Sequence, residues 1–535
     1  MSRQSRSAMA GSLDLSRGLR ITLILNLVLA GFYYAFAGED AAAVSGTVLG
    51  FSTLFTLIAH CGLPFAEAAF VSLFIRKKDY RSVLYVRMVS GMFAIGITVF
   101  VCIVLALCAG PLALVILGGE APAADLSMTQ ISIILCCVFG IFETWSCWLR
   151  GFWQGADSSS VDEKTQTIGS ISVYLFSALI MAILVYGFHL NRAYSVYGLC
   201  GGLILSRILM IAYMTLYDRM KIRRFEKYAK GQSAQAAVKK KVFSDLFSFS
   251  VPSLSIAVLL GLFILSPVLF TVRMMAVHQV NYLNAKQILA LVTFMLPMIT
   301  MFPLMTASAS AERFLPQIAE IPLSLRRQNG SHAAQNMIIR YLALSIPVSF
   351  SLGCLAPQFF QLFYGTALAE NGILLLRFMA AEGVLAGLCI LCLQLTLTVG
   401  YGSSAAVYTG VSLVIRLAAG WFLTMRYGLI GIPASALISL ASNIFLCLSK
   451  TANRLDLSFP RLGAMALRMI LASFAMNGVY VIIKLLGFDA LGTSGLMNLA
   501  LLCAMAAAAG IVCIFIYRLS SIPLGWGSTH EKETK

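Results

Sequence analysis

The chain has 535 residues, of which 59% are hydrophobic and only 11% are charged. A soluble domain carries about 25% charged residues, so this composition excludes an ordinary water-soluble protein. The net charge of +17 is explained better by basic loops on the cytoplasmic side of a membrane than by nucleic-acid binding. We therefore expect an all-α polytopic membrane protein and no nucleic-acid partner, because Gly-, Ala- and Ser-containing spans are typical of packed helices.

Hydropathy predicts fourteen transmembrane helices, since one crossing needs about 20 apolar residues. The basic N-terminal residues lead directly into the first span without a clear cleavage site, so we expect no cleavable signal peptide. The predicted spans fall at about 19–37, 46–74, 88–117, 128–150, 167–189, 195–217, 249–277, 286–311, 340–363, 371–398, 404–425, 428–449, 464–487 and 494–518.

The basic residues are distributed unequally between the two sides of these spans. If the N-terminus is cytoplasmic, the cytoplasmic segments hold 31 of the 39 Lys and Arg residues. The external loops hold Arg192, Lys286 and Arg426. This asymmetry predicts cytoplasmic N- and C-termini.

The predicted helices form two similar halves. Residues 1–217 would be an N-lobe of six helices, and residues 246–450 a C-lobe of six helices. A basic cytoplasmic linker, 218–245, would join them and lie on anionic lipid headgroups. Residues 451–535 would add two helices and a cytoplasmic tail. Residues 149–155 and 397–402 both place glycines beside an aromatic residue where a helix should leave the bilayer sharply, which suggests a parallel repeat.

Several short motifs over roughly residues 45–450 match those of a known family in their order and spacing. Together they resemble the stage V sporulation protein B-like branch of the multidrug/oligosaccharidyl-lipid/polysaccharide (MOP) exporter superfamily, to which the lipid II flippases belong. The chain departs from that pattern in its first span, which lacks a Ser-Arg-rich start, and at Glu67, where a small or neutral residue is expected. The matching residues are Gly62-Leu63-Pro64, Arg150-Gly151-Phe152-Trp153-Gln154-Gly155, residues 314–320, Gln394 with Gly400, Arg416, and residues 428–434.

The resemblance implies a transporter with two lobes that rock around a central cavity. Its substrate would be an undecaprenyl-diphosphate-linked saccharide or a peptidoglycan precursor. The protein would move this lipid to the outer leaflet of a bacterial cytoplasmic membrane, as a monomer coupled to H⁺, Na⁺ or the membrane potential. Structural or gating roles fall on Pro64, Arg150, Gly151, Gln154, Gly155, Gln394 and Gly400.

Cations within or beside the spans are the candidate substrate-binding residues, because a diphosphate needs fixed cationic donors and burying a charge without a use is costly. Each has a structural alternative: an ion pair for Arg416, pairing with Glu143 for Arg207, snorkelling for Arg273 and Arg377, and topological anchoring for Arg20. The candidates are Arg416, Arg273, Arg377, Arg207 and Arg20.

Two intramembrane carboxylates are candidates for ion coupling. Glu67 follows the Gly-Leu-Pro turn, and Glu382 lies near the middle of the tenth span. Either carboxylate could bind a proton or a cation, and a salt bridge is the alternative for Glu67.

We expect neither a cofactor nor a metal. The thirteen cysteines lie mostly inside apolar runs, and His60 and His278 have no partner at metal-ligand spacing in the sequence. We expect no enzymatic activity, since the external loops are too short for the catalytic site of a glycosyltransferase. An ion-coupled multidrug or cation antiporter is the main alternative, but five intramembrane cations against three carboxylates favour an anionic substrate.

Overall fold

The computed structural model describes residues 17–156, 159–230, 236–320, 326–365, 369–485 and 495–519. Every regular element in these ranges is a helix. A helix satisfies its backbone hydrogen bonds within one segment. A chain surrounded by lipid requires this because lipid offers no hydrogen-bond partners. The expectation of an all-helical polytopic protein is therefore confirmed.

The described residues up to residue 277 form eight α-helices. They are α1 Arg17–Cys61, α2 Leu63–Arg76, α3 Tyr80–Leu107, α4 Ala109–Leu117, α5 Ala123–Gly155, α6 Ser159–Ala182, α7 Ser195–Ala229 and α8 Ala236–Val277. A π-helical segment, Ile183–Gly187, and a short 3-10 helix, Arg192–Tyr194, connect α6 to α7.

The second part of the chain forms ten further helices. They are α9 Tyr282–Ala290, α10 Leu296–Thr300, α11 Phe302–Glu320, α12 Arg326–Cys354, α13 Ala356–Tyr364, α14 Ala369–Thr398, α15 Gly402–Tyr427, α16 Gly431–Ala452, α17 Phe459–Leu485 and α18 Gly495–Leu519. A π-helical segment, Leu291–Met295, joins α9 to α10, and a 3-10 helix, Gly428–Ile430, joins α15 to α16.

The described residues contain fewer candidate membrane spans than the fourteen predicted. Eleven helical stretches there are long and apolar enough to cross a membrane. One of them, Gly402–Ala452, is 51 residues long and contains both α15 and α16. The figure of fourteen spans and the internal repeat stay predictions.

Several boundaries differ from the predicted ones. The predicted first span and the first part of the second lie in α1, which is kinked at the non-helical Gly38, where φ is +76°, and the rest of the second span is α2. Glycine adopts this backbone conformation at little cost. The predicted span 88–117 is interrupted at Cys108, and most of the predicted linker 218–245 is helical, because α7 continues to Ala229 and α8 begins at Ala236. Lys, Arg and Glu are good helix formers, so the end of an apolar run is not the end of a helix.

The chain divides into two compact units. The larger unit comprises Ile24–Ile299 and Gly402–Ser439, and the smaller comprises Met1–Leu23, Thr300–Tyr401 and Leu440–Lys535. Each unit contains segments from both predicted lobes, so the lobes stay a prediction about which helices move together.

Each unit has its own apolar core. In the larger unit, α2, α3 and α5 pack around residues such as Val71, Val86 and Phe152. In the smaller unit, α12, α14, α17 and α18 enclose a core that includes Tyr341 and Met469. The core of the larger unit lies at the predicted cytoplasmic ends of its helices, directly beside the polar cluster described next.

Candidate functional site

A cluster of polar side chains lies inside the larger unit, on one face of α5. Glu143, Cys147 and Arg150 are four and three residues apart, a spacing that places them on the same side of a helix. All three are buried. His60 on α1 and Arg207 on α7 complete the cluster, which we call the His60–Arg207 cluster.

His60 is held between two hydrogen-bond partners in this cluster. Its Nδ1 lies 2.9 Å from the backbone oxygen of Thr56, and its Nε2 lies 3.2 Å from Nη1 of Arg150. A carbonyl only accepts and a guanidinium only donates. This arrangement assigns the proton to Nδ1 and makes His60 a neutral acceptor for Arg150.

Glu143 uses its two carboxylate oxygens differently. Oε2 forms an ion pair with Nε of Arg207, which is the pairing that the sequence suggested for Arg207. Oε1 faces His60 Nδ1 at 3.7 Å and Cys147 Sγ at 3.8 Å. Among the described residues, the cluster thus contains two arginines and one carboxylate, and its net charge is +1 when His60 is neutral.

The cluster also resembles a metal site, but its donors do not fit a cation. Ligand atoms of His60, Glu143 and Cys147 lie within 4.8 Å of one another. However, both nitrogens of His60 are occupied, and Arg150 and Arg207 add two positive charges. A metal ion would have to displace these partners, so the arrangement favours an anion.

Glu67 on α2 is the most isolated carboxylate in the larger unit. It is 0% exposed, and neither of its oxygens has a hydrogen-bond partner among the described residues. The described charged groups that act on it are Arg87 and Asp218, which form their own ion pair at 2.7 Å. Asp218 also accepts a hydrogen bond from Nε1 of Trp153, at 3.2 Å. The neighbouring arginine that could have formed a salt bridge with Glu67 is therefore paired with Asp218 instead.

The glycines of the predicted motif bring α5 against α2. A Cβ on Gly151 would lie 2.6 Å from the backbone oxygen of Pro64, and one on Gly155 would lie 2.5 Å from that of Ala68. The helix does not end at Gly151, since α5 continues through the motif and ends at its last residue, Gly155. At Gly400 the expectation of a sharp helix exit holds, because α14 ends at Thr398 and Gly400 has a φ of +92°.

Arg416 on α15 lies in a different environment. It is 1% exposed, and its Nη1 donates to the backbone oxygen of Ile432 at 2.6 Å and to Oγ of Ser435 at 2.7 Å. Its guanidinium also lies 5.5 Å from the ring centre of Phe263 and 5.8 Å from that of Phe270. These contacts join α8, α15 and α16, and we call them the Arg416 network.

Arg273 lines a small pocket at the predicted outer end of the larger unit. The pocket has a volume of about 300 Å³ and is also lined by Glu120 and Tyr282. Beside it, Asp125 accepts from Nζ of Lys286 at 2.9 Å and from the Tyr282 hydroxyl at 2.7 Å. The sequence placed Lys286 and Asp125 in external loops, but they form a largely buried ion pair between α5 and α9.

The other predicted residues lie outside the His60–Arg207 cluster and the Arg416 network, or have no described side chain. Arg377 is exposed near the start of α14, and Glu382 is partly buried on the same helix. Gln394 is partly buried, and its Oε1 has no hydrogen-bond partner within the described ranges. Gln154 is exposed at the end of α5, and the side chain of Arg20 lies outside the described residues.

Sequence reasoning missed His60 and Cys147 as members of the cluster. The four-plus-three spacing of Glu143, Cys147 and Arg150 was available as a signal for one polar helix face. The contribution of His60 was not, because it comes from a helix some 80 residues earlier in the chain.

No protein-family model and no curated protein matches this sequence. Solved structures do match. The fold is similar to that of the lipid II flippase MurJ in an inward closed conformation, with 14% identity, a TM-score of 0.63, and coverage of 95% of this chain and 100% of that one.

It is also similar to an inward-facing multidrug resistance MATE family transporter of the MOP superfamily, with 15% identity, a TM-score of 0.59, and coverage of 81% and 95% of the two chains. A third match is a mutant of the Vibrio cholerae MATE transporter VcmN, with 15% identity, a TM-score of 0.59, and coverage of 84% and 98%. The chain therefore has the MOP superfamily fold.

Proposed function

We propose that this chain, which has the MOP superfamily fold, is a flippase for a diphosphate-linked saccharide lipid such as a peptidoglycan precursor. The observation that supports this most directly is the His60–Arg207 cluster. It brings together Arg207, which pairs with Glu143, and Arg150, which donates to His60, inside the helices. Fixed guanidinium groups suit a diphosphate, whereas a cationic drug would need an excess of negative charge.

The polyprenyl tail can remain in lipid, but the diphosphate and sugars need a polar route. His60 has an exposed side-chain fraction of 39% while Glu143 has 1%, so the cluster is accessible from the His60 side. We propose that a diphosphate enters there and contacts Arg150. Alternating access of two lobes in a bacterial cytoplasmic membrane, with both termini inside, would then carry the headgroup outward.

Glu67 is the proposed coupling residue. A buried carboxyl group without a hydrogen-bond partner is stable when it carries a proton, because desolvation disfavours the charged form. Loss and uptake of that proton would change the charge next to the Arg87–Asp218 pair. We expect Glu67→Gln, which keeps the size of the side chain, to abolish ion-driven turnover and leave folding intact. The exposed Glu370→Gln is the matched control.

Complementation tests the substrate class. The chain would be expressed in bacteria depleted of their lipid II flippase, and the precursor on the outer leaflet would be labelled enzymatically. We expect restored labelling and growth with the wild-type chain and neither with an empty vector. Membrane insertion without restored labelling would contradict a lipid II-like substrate.

An ion-coupled multidrug or cation antiporter is the second candidate. The matching MATE structures and the buried carboxylate of Glu67 favour it. Drug accumulation in cells that lack their own exporters distinguishes the two. Export of a cationic dye that depends on Glu67, without precursor exposure, would replace the flippase proposal.

A further inference from the structure

A long groove runs along the outer surface of the larger unit, on the face of α5 turned away from the cluster. Its volume is about 600 Å³, within the range of roughly 300–1,000 Å³ typical of sites for small molecules. Leu84, Met88, Met92 and Ile95 on α3 form one wall, and Trp148 on α5 faces them. All but one of its lining side chains are uncharged.

The dimensions of the groove match one leaflet of a bilayer. Its lining runs from Leu84 to Gly96 on α3, and twelve helical steps of about 1.5 Å span about 18 Å. One leaflet accounts for half of the ~30 Å hydrocarbon core. The groove begins about one turn after the start of α3 at Tyr80, so it lies at the predicted cytoplasmic side.

Two glycines create the depth of the groove. Gly91 lies against the indole of Trp148, because a Cβ there would come within 2.5 Å of the ring. Gly96 opens onto empty space, with nothing within 4 Å of such a Cβ. The neighbouring side chains of Met88 and Met92 are 54% and 60% exposed and leave room for an unbranched hydrocarbon chain.

Two arginines lie near one end of the groove. The Arg87 guanidinium lies 5.5 Å from the ring centre of Trp148, and Asp218 balances its charge. Arg81 is exposed and lies three residues before Leu84, in line with Leu84 and Met88 on the helix surface. Side chains on a helix lean toward its N-terminus, which directs Arg81 to the headgroup level.

We propose that this groove binds one phospholipid with an anionic headgroup. An acyl chain occupies the space between α3 and Trp148, and Arg81 contacts the headgroup phosphate. Anionic lipids are enriched in the cytoplasmic leaflet, and a basic residue at the surface attracts them. The site is independent of the proposed transport reaction, because it lies on the opposite face of α5 from Glu143 and Arg150.

Photolabelling tests the proposal on the full-length chain. Phosphatidylglycerol with a photoreactive acyl chain is added to nanodiscs of phosphatidylcholine, and the cross-linked peptides are mapped by mass spectrometry. We expect labelling concentrated on residues 84–96 and Trp148. Gly96→Leu should reduce it at least about fivefold, because the chain loses apolar contact along the groove. Labelling spread evenly over the lipid-facing helices would overturn the proposal.

Gly463→Leu is the matched control, since Gly463 is also an exposed helical glycine with nothing within 4 Å of an added Cβ. It should leave the labelling unchanged. If Gly96→Leu is poorly folded, Met92→Trp narrows the same groove from an exposed position. Labelling that survives both substitutions would show that the groove is not the site.

The headgroup is tested with Arg81→Gln and with photoreactive phosphatidylcholine. We expect the wild-type chain to label several-fold more strongly with phosphatidylglycerol, and Arg81→Gln to remove that difference. Equal labelling by both lipids in the wild-type chain would overturn the anionic preference. Displacement of the label by an equimolar polyprenyl phosphate would overturn the phospholipid assignment.

Discussion

Two buried arginine centres in the larger unit have opposite characters. In the Arg416 network, one guanidinium is 1% exposed and is surrounded by neutral oxygens and two aromatic rings. In the His60–Arg207 cluster, Arg207 pairs with Glu143 and its side chain is 17% exposed, while Arg150 donates to His60. The first centre is closed and internally satisfied, so it stabilises helix packing. The second contains two arginines and one carboxylate among the described residues and has an exposed edge, so we prefer it as the ligand-binding candidate.

This contrast bears on the role of Arg416. The sequence predicts either a cavity residue or one half of an ion pair at this position. Its hydrogen bonds go to a backbone oxygen and a serine. A substrate-binding role for Arg416 stays a prediction, but its contacts favour a structural role.

The largest effect is expected from Arg416→Met. Removing the guanidinium loses the hydrogen bonds that join α15 to α16, and each buried group left unmet costs about 1–3 kcal/mol. We expect the free energy of unfolding to fall by roughly 2–4 kcal/mol, measured as a lower melting temperature of the purified protein. The exposed Arg426→Gln should leave stability unchanged. Equal stability of Arg416→Met and wild type would remove the distinction between the two centres.

A large effect on transport, with little effect on stability, is expected from Arg150→Gln. The amide can still donate to Nε2 of His60, but the excess positive charge of the cluster is lost. We expect outer-leaflet exposure of the precursor to fall by about tenfold or more, in line with the loss of a charge-assisted phosphate contact. Arg150→Lys should retain part of the activity. Full transport by the Arg150→Gln variant would contradict the proposed anion site.

The smallest effect is expected from His60→Gln. The imidazole contributes no charge in this arrangement and only orients Arg150. A glutamine can accept the same hydrogen bond from Arg150, so we expect transport to fall by no more than about fivefold, which corresponds to about 1 kcal/mol. A loss as large as that of Arg150→Gln would mean that His60 itself contacts the substrate.

The sequence predicted the fold class well, because hydropathy and backbone satisfaction in lipid leave few alternatives to helices. It also suggested the ion pair between Arg207 and Glu143, because opposite charges buried in the same half of the chain are expected to pair. It could not place His60 in the cluster, because that contact depends on how α1 packs against α5. It did not reveal that Gly151 and Gly155 bring α5 against α2, since a glycine that allows a helix to end also allows two helices to touch.

The ion pair between Asp125 and Lys286 has a consequence for the molecule without bound substrate. It fastens α5 of the first predicted lobe to α9 of the second at the predicted outer end, and Tyr282 reinforces it. Under the proposed alternating access, exposing that end to the periplasm must separate these partners. In that case an empty molecule has no replacement contact to offset the loss, and we expect it to stay closed at that end.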